Sequence, residues 1–135
     1  MPVEKKILVV DDEPIIRDLF DQSLSADGYT VRLAEGGEEA LGILKQEPIS
    51  VIFLDLKLFG MNGIELCRQI RANHPLAVIN AITGWAALFE IEECREAGFD
   101  DYFVKPVDMA LISRAVAHAF DKLERWQKRY PQKPS

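Results

Sequence analysis

The chain has 135 residues, which suits one compact domain and leaves little room for a second. Hydrophobic residues make up 48% and charged residues 28%, a balance that supports a buried core in a water-soluble fold. A formal charge of -6 argues against nonspecific binding to nucleic acid or anionic membranes, and no stretch approaches the roughly 20 apolar residues of a membrane span.

The start, Met1-Pro2-Val3-Glu4-Lys5-Lys6, carries no apolar signal core, so a cytoplasmic location is expected. Ile7-Leu8-Val9-Val10 reads as a strand that runs into Asp11-Asp12. Pro14 suits the first turn of a helix with Ile16, Leu19, Phe20 and Leu24 on one face, and Gly28 caps its end. Residues 29–33 alternate as a second strand. Ala40, Leu41 and Leu44 mark a second helix, stopped before Pro48. Val51-Ile52-Phe53-Leu54 is a third strand, ending at Asp55. A third helix follows the Asn62-Gly63 turn, with Ile64, Leu66, Cys67 and Ile70 on its apolar side, and ends before Pro75.

Residues 77–82 form a fourth strand leading into Thr83, and a fourth helix is predicted over 85–97 with Gly98 as its cap. Asp101-Tyr102-Phe103-Val104 is a fifth strand that reaches Lys105. After Pro106, Leu111, Ile112, Ala115, Val116, Ala119 and Leu123 recur at helical spacing. The two cysteines, Cys67 and Cys94, fall in separate helices and are expected as packed, reduced thiols. His74 and His118 lie away from every motif. Strands alternating with helices predict an α/β layer fold with helices on both faces of a parallel sheet.

In such a sheet four strands deliver Asp11, Asp12, Asp55, Thr83 and Lys105 to one edge, where open parallel sheets bind ligands. At about 5 Å and an effective dielectric of about 20, two carboxylates repel by roughly 3 kcal/mol. A bound cation offsets that repulsion, and an all-oxygen ligand set suits Mg²⁺ or Mn²⁺ rather than zinc. One carboxylate could then attack phosphorus to form an aspartyl phosphate, with the lysine and the hydroxyl binding phosphoryl oxygens.

Taken in order, Asp11-Asp12-Glu13-Pro14, Asp55-Leu56-Lys57-Leu58-Phe59-Gly60-Met61-Asn62-Gly63, Thr83-Gly84 and Asp101-Tyr102-Phe103-Val104-Lys105-Pro106 resemble the receiver domain of bacterial two-component response regulators, including the chemotaxis regulators. The resemblance covers residues 5–125. It implies a doubly wound, flavodoxin-like sheet of five parallel strands in the order 2-1-3-4-5, with five helices. It implies Asp55 as phosphoacceptor from a histidine kinase or a histidine phosphotransfer protein. Asp11, Asp12, Asp55 and the backbone carbonyl of Lys57 would hold the metal ion. Lys105 and Thr83 would bind the phosphoryl group, and Tyr102 would be an aromatic switch that follows Thr83. A cis Lys105-Pro106 peptide is expected. The implied role is signalling rather than turnover. Two rivals stand beside it: a Mg²⁺-dependent phosphatase with an aspartate nucleophile, and a receiver fold that no longer takes phosphate. Lys57 stands where such phosphatases often have a second aspartate, which argues against the first.

Phe59 departs from the family, which usually has proline there. Lys57 and Trp85, each two residues past a site residue, occupy positions that tune phosphate lifetime in the family, and bulky Trp85 is expected to shield the phosphate from water. Leu88, Phe89 and Ile91 cannot all face inward from helix four, which suggests a contact surface. Such domains commonly signal through the face of helix four, strand five and helix five, so a partner or a homodimer is expected there. Residues 126–135 turn basic and proline-containing, and read as a tail or linker beyond a domain at 1–125. Neither a nucleic-acid-binding motif nor a membrane segment is found.

Overall fold

The computed structural model describes residues 5–58, 60–84 and 88–129. Its elements alternate as β1 (Lys6–Val10), α1 (Pro14–Ala26), β2 (Thr30–Ala34), α2 (Gly37–Gln46), β3 (Val51–Asp55), α3 (Gly63–Asn73), β4 (Val78–Thr83), α4 (Leu88–Ala97), β5 (Asp101–Val104) and α5 (Met109–Arg129). The five strands form one parallel sheet in the order β2-β1-β3-β4-β5, as expected. Every β3 and β4 residue is buried, which explains why these strands read as continuous apolar runs rather than alternating ones.

Side chains alternate across the sheet and feed two cores. Leu8, Val10, Ile52, Leu54 and Ile79 pack with α2 and α3 through Leu44, Leu66 and Ile70. Ile7, Val9, Phe53 and Ile82 pack on the other side with Phe20 and Leu24 of α1 and Ile112 and Val116 of α5. Phe20 and Phe53 meet there at 5.3 Å between ring centroids.

Local chemistry sets the helix ends. Pro14 opens α1, where a missing N–H costs nothing, and Gly28 follows its last turn with φ +97°, a conformation glycine adopts without strain. Asn62 caps α3 by accepting from the Glu65 N–H at 2.7 Å. Lys105-Pro106 is cis. Two residues read as core-facing are instead exposed: Leu19 at 39% and Leu111 at 47%. Each lies at the border of its helix's apolar stripe, which is narrower than the sequence pattern suggests. On α5 Phe120 is buried, its ring stacked on Tyr29 at 5.4 Å between centroids. The helix continues to Arg129, so residues 126–129, the first part of the predicted tail, are helical. Residues 85–87, Phe59 and residues 130–135 lie outside the described residues, as do the side chains of Leu88 and Phe89. No helix among the described residues is long and apolar enough to cross a membrane.

Candidate functional site

The strand order reverses between β1 and β3, and their carboxyl ends open the crevice in which doubly wound sheets bind ligands. Asp11 follows β1 and is fully buried; its N–H donates to the Ala34 carbonyl at 3.1 Å, extending the β1–β2 pairing by one residue. Asp55 ends β3 and is 4% exposed. Asp12 and Glu13 project from the same turn as Asp11 and are exposed. Ligand oxygens of Asp11, Asp12, Glu13 and Asp55 all lie within 4.8 Å of one another.

Among the described residues, one cation faces them. Lys105 Nζ lies 3.2 Å from Asp11 Oδ2, 3.0 Å from Glu13 Oε1 and 3.3 Å from Asp55 Oδ2. Burial lowers the affinity of this lysine for its proton, but the hydrogen bond to Glu13 and the close negative charges of Asp11 and Asp55 outweigh it, so the ammonium is held more firmly than usual. Asp11 shows the opposite conflict. Burial pushes its carboxyl up to about 6; the Glu13 N–H opposes that, the Asp55 charge adds to it, and Lys105 opposes it.

The two oxygens of Asp11 differ. Oδ1 accepts from the Glu13 N–H at 2.9 Å. Oδ2 is buried and accepts no well-directed hydrogen bond, although the Lys105 ammonium is near enough for an ion pair. A buried carboxylate oxygen with an unfilled lone pair, among three other carboxylates, matches a hard divalent cation and not a soft one. The site therefore fits Mg²⁺ or Mn²⁺.

Backbone geometry fixes the rest. Asp55 Oδ1 accepts from the Lys57 N–H at 3.1 Å, which folds the chain after β3 over the carboxylate. Leu56 N–H donates to the Ile82 carbonyl at 3.0 Å, and Gly63 N–H to the Leu56 carbonyl at 2.9 Å. Gly63 is required: a Cβ there would stand 2.3 Å from the Asp55 carbonyl oxygen and 2.8 Å from Leu56 Cα. Thr83 is 2% exposed at the end of β4, one residue past Ile82, the register partner of Asp55. Its carbonyl accepts from the Lys105 N–H at 2.8 Å, tying the hydroxyl-bearing residue to the ammonium-bearing one.

Asp11, Asp12, Asp55, Thr83 and Lys105 thus share the carboxyl edge. Lys57 borders it, with its side chain exposed. Tyr102 stands apart, 41% exposed, lining a cavity of about 210 Å³ with Ile91, Cys94 and Phe99. Trp85 and Phe59 lie outside the described residues. Both cysteines are free and buried, and burial raises both thiols, Cys67 to about 12. Two participants were not anticipated. Glu13 stood in the sequence motif without a role, yet it pairs with a lysine 92 positions away. Arg17 donates to the Asp11 carbonyl at 2.7 Å and orients the acidic turn.

A doubly wound parallel sheet with an acidic cluster and one ammonium at its switch point defines a narrow class of α/β domain. The chain belongs to the response regulator receiver domain family, whose model matches residues 7–117. A cyclic di-GMP phosphodiesterase of Thermotoga maritima is 35% identical over 113 residues, 84% of this chain and 30% of that protein. Among solved structures, a CheY-like receiver domain protein of Methanospirillum hungatei aligns with a TM-score of 0.87 at 31% identity, covering 91% of this chain and 98% of that one. The Saccharomyces cerevisiae receiver domain of Ssk1, solved in complex with the histidine phosphotransfer protein Ypd1, aligns at 0.77 and 26% identity, covering 84% and 86%. The chain spans less than half the length of the curated relatives it matches.

Proposed function

We propose that the domain is a phosphorylation-controlled switch in which Asp55 accepts a phosphoryl group from a phosphohistidine. The observation that carries this reading is the pairing of a buried Asp55 carboxylate with Lys105 at 3.3 Å, beside the acidic pair of Asp11 and Asp12. Family membership and the likeness to a receiver solved with a histidine phosphotransfer protein support it. The donor is a histidine kinase or a phosphotransfer protein.

Carboxylate oxygens of Asp11, Asp12 and Asp55 and the Lys57 carbonyl would hold Mg²⁺ or Mn²⁺. When bound, such a cation neutralises clustered carboxylates and polarises an incoming phosphoryl group. Asp55 attacks phosphorus, the P–N bond to the donor imidazole breaks, and the imidazole keeps the electron pair and takes up a proton. Lys105 then exchanges its carboxylate contact for a phosphoryl oxygen, and the Thr83 hydroxyl donates to another. Drawing Thr83 toward the phosphate frees space for Tyr102, now outside, to turn inward and alter the surface of α4, β5 and α5. That surface meets a partner or a second copy. Phosphorylation need supply about 5.5 kcal/mol to convert a 1:99 equilibrium to 99:1, and less when a partner contributes. The domain signals and does not turn over a substrate, and it works in the cytoplasm.

The test is labelling with acetyl phosphate and Mg²⁺ followed by peptide mass spectrometry. One phosphoryl group on Asp55, absent in Asp55→Asn, is the expected result. Labelling elsewhere, or none together with no beryllofluoride binding, overturns the reading.

A further inference from the structure

Glu13 has a fixed backbone and a free arm. Its N–H donates to Asp11 Oδ1 at 2.9 Å, and its carbonyl accepts from the N–H groups of Ile16 and Arg17, both at 3.2 Å, in the first turn of α1. Pro14 follows and sets the chain into that helix. The side chain does none of this work. It is 58% exposed and reaches over the cluster to Lys105, with Oε1 at 3.0 Å from Nζ.

Lys105 is thereby held between an inner and an outer carboxylate. One of its protons goes to Asp55 Oδ2 at 3.3 Å, inside the crevice, and another to Glu13 Oε1, at the mouth. The two acceptors differ in freedom. Asp55 is buried at the end of β3, and its other oxygen is fastened by the Lys57 N–H. Glu13 carries a longer side chain that stands in solvent, and an ion pair to so exposed a carboxylate costs little to release.

Charge acts at the same place. A Glu13 oxygen lies within 4.8 Å of ligand oxygens of Asp11, Asp12 and Asp55. At that range its carboxylate adds to the attraction for a divalent cation and to the repulsion of a phosphoryl group, which is itself anionic. One side chain therefore acts in opposite senses on the two species the site has to hold together.

We propose that Glu13 is a positioning residue for Lys105, a placeholder anion that keeps the ammonium at the mouth of the crevice until a phosphoryl oxygen takes its place. The proposal rests on the phosphoacceptor reading given above and names a device that regulates the same site. In the resting domain Glu13 satisfies the lysine from outside, and its charge strengthens cation binding. When Asp55 carries a phosphoryl group, the ammonium turns from the carboxylates to a phosphoryl oxygen and Glu13 swings into water. Glu13 thus opposes the phosphorylated state, and its loss shifts the balance toward that state.

Two variants of the full chain separate the charge from the contact. Glu13→Gln removes the charge. Glu13→Asp keeps it but, one methylene shorter, falls short of Lys105. Neither touches the backbone bonds that shape the turn. Titration calorimetry gives the affinity for Mg²⁺ alone, and fluorine NMR gives the affinity for beryllofluoride at saturating Mg²⁺. Glu13→Gln should weaken Mg²⁺ about threefold and tighten beryllofluoride about threefold, the scale of one exposed ion pair. Glu13→Asp should leave Mg²⁺ as in wild type and tighten beryllofluoride as Glu13→Gln does. A side chain that only shaped the turn would move both affinities the same way or neither. Beryllofluoride binding that is unchanged or weaker in both variants overturns the placeholder role and leaves the phosphoacceptor standing. No beryllofluoride binding to wild type overturns the phosphoacceptor reading and the placeholder with it.

Discussion

Two charge clusters sit on this one sheet, and they are built on opposite principles. Near the start of β1, Glu47 accepts from Arg32 Nε at 2.9 Å and from Lys6 Nζ at 3.1 Å, one carboxylate between two cations. Those two hydrogen bonds, Arg32's first, hold its carboxyl below the usual range. At the other edge four carboxylates cluster, three of them sharing the Lys105 ammonium, and Asp11 is pushed up instead of down. The first cluster is satisfied by the fold. The second is left with a deficit of positive charge, which favours binding of a cation.

The largest effect on this contrast should come from Lys105→Met. Without its ammonium the carboxylates at the carboxyl edge lose their charge partner, and metal-free stability at pH 7 should fall by about 3 kcal/mol in urea unfolding. A rise in stability would mean that the cluster is not in deficit. Next comes the cation: Mg²⁺ at about 100 times its dissociation constant should stabilise the chain by about 2.7 kcal/mol, and should do far less for Asp12→Asn. An equal shift in the variant would place the ion elsewhere.

Asp11→Asn should act in the opposite sense. A folded pKa raised from 3.8 to about 6 means that the ionised form is disfavoured in the native state. The cost is present above about pH 6, shrinks as the pH falls through that value, and is gone below about 4. The variant should therefore be more stable than wild type at pH 7, by on the order of 1–2 kcal/mol, and no more stable near pH 4. A constant difference across that range would count against a titrating Asp11.

Glu47→Gln should give the smallest change. Its lowered carboxyl contributes stability that is present above the ordinary carboxylate range and lost as the pH falls through the folded value. The variant should unfold at slightly lower urea than wild type at pH 7, with the gap closing in acid. No gap at pH 7 would show that this cluster is only solvated charge.

Much of this was legible before any coordinates. Apolar runs of strand length end in Asp55, Thr83 and Lys105, and the alternation with helices puts those ends on one edge, because parallel connections leave little freedom. What escaped depended on side-chain reach and on backbone partners. Arg71 reads as an ordinary basic residue at a helix end, since four of its five hydrogen bonds go to main-chain carbonyls, which leave no trace in residue identity. Gly63 reads as a turn glycine, while its tighter constraint is the Asp55 carbonyl at its back. Leu19 and Leu111 fit the helical period but miss the core, because the period says which residues share a face and not how wide the buried stripe is.

Helix α5 has a mechanical consequence. It begins at Met109, four positions after Lys105, and its 21 residues extend about 30 Å, roughly twice the length of the strands it packs on. Its far end, at Leu123 and Trp126, flanks a cavity of about 430 Å³ beside Leu76, at the edge of the sheet opposite the acidic cluster. A rigid rod of that length is a lever. A tilt of about 5° at the lysine end would displace the tryptophan end by about 2.6 Å, so a sub-ångström rearrangement at one edge becomes a readable change of shape at the other.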